Sequence, residues 1–356
     1  MVPTLVVLLL LWATFVAAAP PGDRERPLRD AVWAGRWLEG VRLYGQLEAT
    51  GAAPSAQASY LAGLAQWKLR RPEEAQPLLK KAAEAGFRAA GGRPQPDELL
   101  AKIDAYFELR PTRIKVPSLD ASPLEVYSEA STPLTVPILD ALPRFAETGR
   151  RLFGSAPPVR FFLFARLPRF ERFYALFAET RDKPAESAHS TGVVNMVIFC
   201  EEKAHRATTA ETVSLALHEL MHAWAATYLL EQYDHRIPLP PYVDEGLATY
   251  VACLSSPQAA VLPAERFTKW RSSGSPAPPL EALRTQDGFY APGRAASHYW
   301  LAEQLIERLI GPPATGAAKI QPFLDAFAQA GDDLRAWRAV SDKDVTTEYA
   351  ALLGGR

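Results

Sequence analysis

The apolar positions of this 356-residue chain predict helices over most of its length and two short strands near its middle. The longest pattern runs over residues 209–230, where Gly and Pro are absent and Glu219 is the only charged residue after position 211. Thr208 and Glu211 have the spacing of a capping box at its start. A helix this apolar is expected to be buried. We therefore predict a core helix here.

Before this helix, the pattern of apolar residues predicts both strands and helices. Residues 159–165 and 192–200 are apolar and rich in aromatic or β-branched residues, which predicts strands. Residues 137–153 and 168–180 predict helices, and the chain is mostly helical from residue 209 onward. This order predicts an α+β fold, in which a small mixed sheet lies beside the long helix and a helical lobe follows at the C-terminus.

The chain before residue 125 is expected to contain three parts. Residues 1–19 combine an apolar run with small residues after it, which is typical of a signal peptide. That run is too short for a membrane helix, so we expect a secreted or periplasmic protein without stable membrane insertion after signal cleavage; retention as an anchor stays open. Residues 20–110 predict an all-α region. Residues 111–124 contain three prolines and predict a linker.

The predicted all-α region contains an internal repeat. Residues 35–44 and 70–79 are similar at an offset of 35, close to the tetratricopeptide period of about 34. We expect one and a half to two such repeats packed on the following domain, where they would offer a surface to a protein partner. A generic helical hairpin is the alternative. The small and apolar positions of the repeat are occupied by Gly63, Ala75, Leu79 and Ala82.

The balance of charged residues limits the classes of binding partner that we expect. Lys plus Arg number 39 and Asp plus Glu number 40, so the net charge is −1. No basic stripe is present, and nucleic acid is not an expected partner. Cys200 and Cys253 are the only cysteines, and they are expected to form either one disulfide or two buried free thiols.

The candidate chemistry lies in the long helix. His218, Glu219 and His222 form the pattern His-Glu-x-x-His, in a chain with six histidines. Residues four apart share a helix face, so both imidazoles can bind one zinc ion. Glu219 is then placed to act on a metal-bound water without binding the metal. The alternative is a core helix with two hydrogen-bonded histidines, which leaves a buried carboxylate unexplained.

A catalytic zinc ion usually has three protein ligands and one position for water. The extended pattern HExxHxxGxxH is absent, because Ala225 and Tyr228 stand at its Gly and last His positions. Glu245 lies 23 positions after His222 in a second apolar helical stretch, and we expect it to be the third ligand. The other donors within reach are Glu231, Asp234, His235 and Asp244.

Residues 218–222, followed by Val243-Asp244-Glu245-Gly246-Leu247-Ala248, resemble the gluzincins of the aminopeptidase-N and thermolysin type. The likeness is greatest to the bacterial secreted peptidase-MA-like metallopeptidases, and it covers roughly residues 125–350. It implies a zincin-like catalytic domain over residues 125–356. It also implies one Zn²⁺ ion held by His218, His222 and Glu245, with Tyr242 at the aromatic position of the second motif.

The same resemblance suggests three further roles. Asp244 is expected either to hydrogen-bond a ligand imidazole or to cap the second helix. Tyr290 begins a Tyr-x-x-Gly segment similar to the one that supplies a phenol to the developing oxyanion, with His298 and Tyr299 as rivals. A buried aromatic residue with a satisfied hydroxyl is the alternative for Tyr290. The strand over 192–200 is either an edge strand that pairs with the substrate backbone or a core strand.

These features predict a zinc metallopeptidase that cleaves a peptide or protein substrate. Glu219 would take a proton from the metal-bound water and pass it to the leaving amine, while zinc and Tyr290 stabilise the oxyanion. One alternative is an exported binding scaffold, in which the helical repeats act on an inactive zincin fold. Another is a zinc amidase acting on cell-wall material. A Gly-x-Met-Glu-Asn segment is absent, so aminopeptidase activity is not expected.

Overall fold

The structure is a computed structural model whose described residues form two compact units. The smaller unit contains the chain up to Leu109 and the segment 230–235, and the larger unit contains the rest. The predicted signal peptide, residues 1–19, lies outside the described residues. The described residues are 24–51, 53–117, 119, 122–129, 135–177, 188–190, 195–204, 207–234, 237–274, 276–291, 295–311 and 313–354.

The smaller unit is all α-helical over the described part of residues 24–109. Each of its helices packs on the next, and the third also packs on the first and the fifth. Gly63 allows a close approach, because a Cβ there would lie 2.7 Å from the Leu79 side chain. The five helices are α1 (Arg26–Trp33), α2 (Trp37–Ala49), α3 (Ala56–Lys68), α4 (Pro72–Glu84) and α5 (Pro96–Leu109).

The larger unit begins with a small mixed sheet. The strand order is β1-β2-β3-β5-β4; the inner pairs β2/β3 and β3/β5 are parallel, and both outer pairs are antiparallel. This arrangement confirms the predicted α+β class at the level of a mostly helical fold with a small mixed sheet. The strands are β1 (Thr112–Ile114), β2 (Glu125–Ser128), β3 (Arg160–Phe164), β4 (Ala188–Ser190) and β5 (Met196–Cys200).

The sheet bears on two predictions from the sequence, the strand over 192–200 and the linker over 111–124. The strand predicted over 192–200 is β5 at Met196–Cys200, which lies between β3 and β4 with all five residues buried. It is therefore a core strand rather than an edge strand; residues 192–194 lie outside the described residues. The segment 111–124, expected to be a linker, contains β1, which pairs with β2. Residues 112–114 of this segment are therefore part of the sheet.

The other elements in the described part of the larger unit are helices. The predicted helices near 137–153 and 168–180 are α6 (Thr135–Phe153) and α7 (Leu167–Ala175), so α7 ends earlier than expected. The later helices are α8 (Glu201–Ala204), α9 (Thr209–Tyr233), α10 (Pro241–Ser255), α11 (Pro257–Ser272), α12 (Leu280–Arg284), α13 (Gln286–Phe289), α14 (Ala295–Ile310), α15 (Pro313–Ala330), α16 (Asp333–Val340) and α17 (Val345–Gly354).

Helix α9 is the long apolar helix that the sequence predicts. Its capping box is present, because Thr208 N donates to Glu211 Oε2 (2.9 Å) and Glu211 N donates to Thr208 Oγ1 (3.2 Å). Trp224 on α9 is fully buried and packs edge-on against Phe145 of α6, with ring centroids 5.6 Å apart. Gly149 on α6 makes room for it, since a Cβ there would lie 3.0 Å from the indole. These contacts hold α9 in the core.

The two cysteines are free, so the expectation of two free thiols is the correct one. Cys200 is buried on β5 and Cys253 is partly buried on α10. Burial raises the pKa of the Cys253 thiol to about 12, and the carboxylates of Glu303 and Glu307 add to this. Within the described residues, no helix combines the length and the apolar character that a membrane crossing requires.

Candidate metal site

The histidines of the His-Glu-x-x-His pattern lie side by side on α9. His218 and His222 are one helical turn apart, and their rings are nearly perpendicular, with centroids 4.6 Å apart. Their Nε2 atoms are separated by 3.0 Å, and each side chain is 14% exposed. Both Nε2 atoms therefore point to one place near the surface of the larger unit.

Glu245 on α10 joins this pair. Its Oε2 atom lies 2.8 Å from His218 Nε2 and 3.4 Å from His222 Nε2, and the residue is buried. Among the described residues, these three side chains form the one group of His, Cys, Asp or Glu that could hold a metal ion. Glu231, a rival for the third position, faces Arg71 in the smaller unit (3.9 Å), and His235 lies outside the described residues.

The three ligand atoms have the spacing that a small tetrahedral ion needs. Zinc bonds of about 2.0–2.2 Å at tetrahedral angles place ligand atoms roughly 3.3–3.6 Å apart. The observed separations of 2.8, 3.0 and 3.4 Å lie within about 0.5 Å of this range. Two imidazoles and one carboxylate are also a donor set that zinc accepts. The group therefore fits a metal ion without rearrangement of the helices.

Each imidazole is also held through its second nitrogen by α10. His222 Nδ1 lies 3.0 Å from Asp244 Oδ1, and His218 Nδ1 lies 3.4 Å from Thr249 Oγ1. A proton on each Nδ1 leaves the Nε2 lone pair free for a metal. Asp244 contacts an imidazole and does not cap α10, because the N-cap position is Pro240. Thr249 was not predicted from the sequence, although its place four residues after Glu245, on the same helix face, was a usable signal.

Burial and neighbouring charges shift the pKa values of Glu245 and His222. Burial would raise the pKa of Glu245, but hydrogen bonds from His218 and His222 outweigh it and lower the pKa. Burial would lower the pKa of His222, but the carboxylates of Asp244 and Glu245 outweigh it and raise the pKa well above its usual value. The carboxylates therefore attract a cation, which is either a proton on the imidazole or a metal ion between the ligands.

Tyr290 reaches the same group from the end of α13. Its hydroxyl donates a hydrogen bond to Glu245 Oε1, the oxygen that does not face the histidines. Tyr290 is nevertheless 45% exposed to solvent. Burial of the hydroxyl raises its pKa, and the charge of Glu245 adds to the shift. The structure thus brings the predicted Tyr290 to the carboxylate of Glu245. Gly293 of the Tyr-x-x-Gly segment lies outside the described residues.

The rivals of Tyr290 occupy other positions. The Tyr299 ring lies 5.7 Å from the His218 ring, measured between centroids, at an angle of 66°. His298 is fully buried, and its Nδ1 lies 2.7 Å from the carbonyl oxygen of Phe289. Glu219 is partly buried on α9 and does not belong to the group of three ligands.

Helix α10, which carries Glu245, is anchored at its first turn by contacts outside the three side chains of the metal group. Tyr242 is fully buried and packs on Trp337 of α16, with ring centroids 6.4 Å apart. Burial raises the pKa of the Tyr242 hydroxyl, and the nearby Asp333 carboxylate raises it further. Asp333 in turn accepts two hydrogen bonds from Arg284, of 2.6 and 3.0 Å. This packing supports the position of Glu245.

Comparison with known proteins gives no match to this chain among protein-family models, curated proteins or solved structures.

Proposed function

We propose that this protein is an exported zinc metallopeptidase of the gluzincin type, with a zincin-like catalytic domain and a tetratricopeptide-like helical region. One observation carries the proposal: an atom from each of His218, His222 and Glu245 lies within 3.4 Å of the other two. The same helix turn contains Glu219, a carboxylate outside the ligand group. Two ligand histidines with a glutamate between them are the arrangement of zinc hydrolases.

The ligand set supports zinc as the metal and one ion as the number. His218, His222 and Glu245 would hold the ion and leave its fourth position open, as in catalytic zinc sites. When bound, zinc supplies a Lewis acid that acidifies water and polarises a carbonyl group. Asp244 and Thr249 would keep the ligand nitrogens turned toward the ion.

The other residues of the group would carry the proton transfers. Glu219 takes a proton from the attacking water and delivers it to the nitrogen of the leaving amine. Tyr290 lies at the edge of the site, where its hydroxyl can orient Glu245 or donate to the developing oxyanion. A peptide or protein is the substrate class that this chemistry suits, and a cell-wall amide would use the same residues.

The test begins with metal content. Protein purified without added metal should contain about one zinc per chain by elemental analysis, and both His218→Ala and Glu245→Ala should lose it. Glu219→Gln should keep the zinc, and its hydrolysis of an unfolded protein substrate should fall by about 10²–10⁴-fold. Glu303→Gln, a matched change on α14 away from the ligands, should keep both the zinc and the activity.

Two outcomes would contradict the proposal. Full activity of Glu219→Gln would exclude its role as the general base. A wild-type chain that binds no zinc, even after the metal is added back, would favour the scaffold alternative.

A further inference from the structure

His298 makes a buried polar contact that the proposed reaction does not use. The residue is fully buried on α14, and its Nδ1 lies 2.7 Å from the carbonyl oxygen of Phe289. A carbonyl oxygen only accepts hydrogen bonds, so Nδ1 carries the proton and donates it. A buried hydrogen bond of this length restrains both the ring and the backbone of Phe289, because breaking it would leave two polar groups unpaired.

The backbone that His298 restrains is the one that presents Tyr290. Helix α13 has four residues, Gln286–Phe289, and Tyr290 follows it directly. One helical turn is not stable by itself, so its conformation depends on contacts with the rest of the fold. The Phe289 ring supplies further contacts, with centroids 5.5 Å from His298 and 5.3 Å from Tyr299. The end of α13 is therefore held in part from α14.

We infer that His298 is a positioning residue for Tyr290, and through Tyr290 for the metal ligand Glu245; this inference rests on the proposed zinc site. The hydrogen bonds run from His298 to the Phe289 carbonyl and from the Tyr290 hydroxyl to Glu245 Oε1. With Oε1 held by Tyr290, Oε2 is the oxygen left to face His218 and His222. His298 thus has a role distinct from that of an oxyanion donor.

The experiment compares replacements that keep or remove the Nδ1 donor. His298→Asn places an amide N–H near the position of Nδ1, whereas His298→Gln places its amide near Nε2, and His298→Leu has no donor. Titration with Co²⁺ alone, followed by its absorption spectrum, should show about 10-fold weaker binding for the Gln and Leu variants, the lower end for supporting groups. His298→Asn should bind Co²⁺ nearly as well as the wild type.

A double variant tests whether His298 acts through Tyr290. Tyr290→Phe should weaken Co²⁺ binding to a similar extent and change the spectrum in the same way. In the Tyr290→Phe background, His298→Gln should add nothing further, because both changes remove the same restraint on Glu245. Additive losses of affinity would show that His298 acts independently of Tyr290 and would overturn the inference.

A metal-free measurement separates this inference from the zinc proposal. Hydrogen exchange over residues 286–291 should be faster in His298→Gln than in the wild type. The control is Tyr349→Phe, which removes a similar bond from a side chain to the carbonyl of Pro278 (2.5 Å) and should change neither exchange there nor Co²⁺ binding. Unchanged exchange in a folded His298→Gln would overturn the inference. Faster exchange in a chain that binds no Co²⁺ would support the restraint of Tyr290 and contradict the zinc site.

Discussion

At the scale of single residues, the three side chains that could hold a metal ion are themselves held by other side chains. Asp244 and Thr249 each contact the outer nitrogen of one histidine, at 3.0 and 3.4 Å. Both belong to α10, which also carries Glu245. One helix therefore supplies Glu245 and the partners of both histidines, so a shift of α10 would affect all three side chains.

The contact of Thr249 with His218 leads to a first prediction. Thr249→Val keeps the shape of the side chain and removes the hydroxyl, so zinc binding should weaken by about 10-fold, near the lower limit for such partners. Zinc affinity is measured by competition with a chelating dye. The control is Thr212→Val on α9, where the buried Oγ1 has no hydrogen-bond partner among the described residues. Equal affinities of the two variants would contradict the assigned role.

Glu303 on α14 leads to a prediction about pH. Burial raises its pKa to about 7; a hydrogen bond from Gln304 opposes the shift and the charge of Glu307 adds to it. In the unfolded chain the carboxyl ionises near its ordinary value of 4.5. Between these values the unfolded state releases a proton that the folded state keeps, so stability falls as pH rises through this window. The loss from this group is at most about 3 kcal/mol.

Urea unfolding at pH 5 and at pH 8 measures this effect. Glu303→Gln should reduce the difference between the two pH values and should be more stable than the wild type at pH 8. Glu265→Gln, at an exposed carboxyl of α11, should leave the difference unchanged. If the wild type and Glu303→Gln showed the same pH dependence, Glu303 would not be responsible.

At the scale of elements, the packing of α10 on α14 brings the metal group and its supporting residues together. Gly246 follows Glu245 and lies against α14, where a Cβ would be 2.5 Å from the carbonyl oxygen of Ala302 and 2.8 Å from Ile306. The absence of a side chain lets the two helices approach closely. Helix α14 also carries His298 and Tyr299.

Enlarging Gly246 should therefore separate these helices. Gly246→Ala should destabilise the protein by about 1–3 kcal/mol through overpacking, and it should weaken zinc binding because Glu245 is adjacent. Urea unfolding and zinc titration measure the two effects. Gly45→Ala on α2 is the matched control, since a Cβ there meets no atom within 4 Å. It should be neutral or stabilising by up to about 1 kcal/mol; similar behaviour of both variants would exclude the packing explanation.

At the scale of the whole molecule, the three side chains of the candidate metal site and the residues that contact them all belong to the larger unit. Ligand binding stabilises only the structure that forms the site. Free zinc at 100 times its dissociation constant should therefore stabilise this unit by about 2.7 kcal/mol. Hydrogen exchange should show increased protection in α9 and α10 on addition of zinc, and no change in α2 to α4. His218→Ala should not respond, and protection spread equally over both units would contradict a local site.

The sequence predicted features that depend on near neighbours along the chain. Thr208 and Glu211, which form the capping box, are three positions apart in the sequence. His218 and His222 share a helix face because the α-helix repeats about every 3.6 residues. The strands β3 and β5 and the helices α6 and α9 were also predicted, because their apolar patterns have a clear period. Local backbone preferences and the spacing of apolar residues determine such features.

Other features depend on residues far apart in sequence. The contacts of Glu245 with His218, of Thr249 with His218 and of Tyr290 with Glu245 span 27, 31 and 45 residues. The inner position of β5, the place of β1 in the sheet and the burial of His298 likewise result from packing among several elements. Sequence by itself determined which helix carries the histidines and their common face. Only the tertiary structure decided which carboxylate and hydroxyl meet them and which phenol meets that carboxylate, because long-range packing of α9, α10 and α13 brings those groups together.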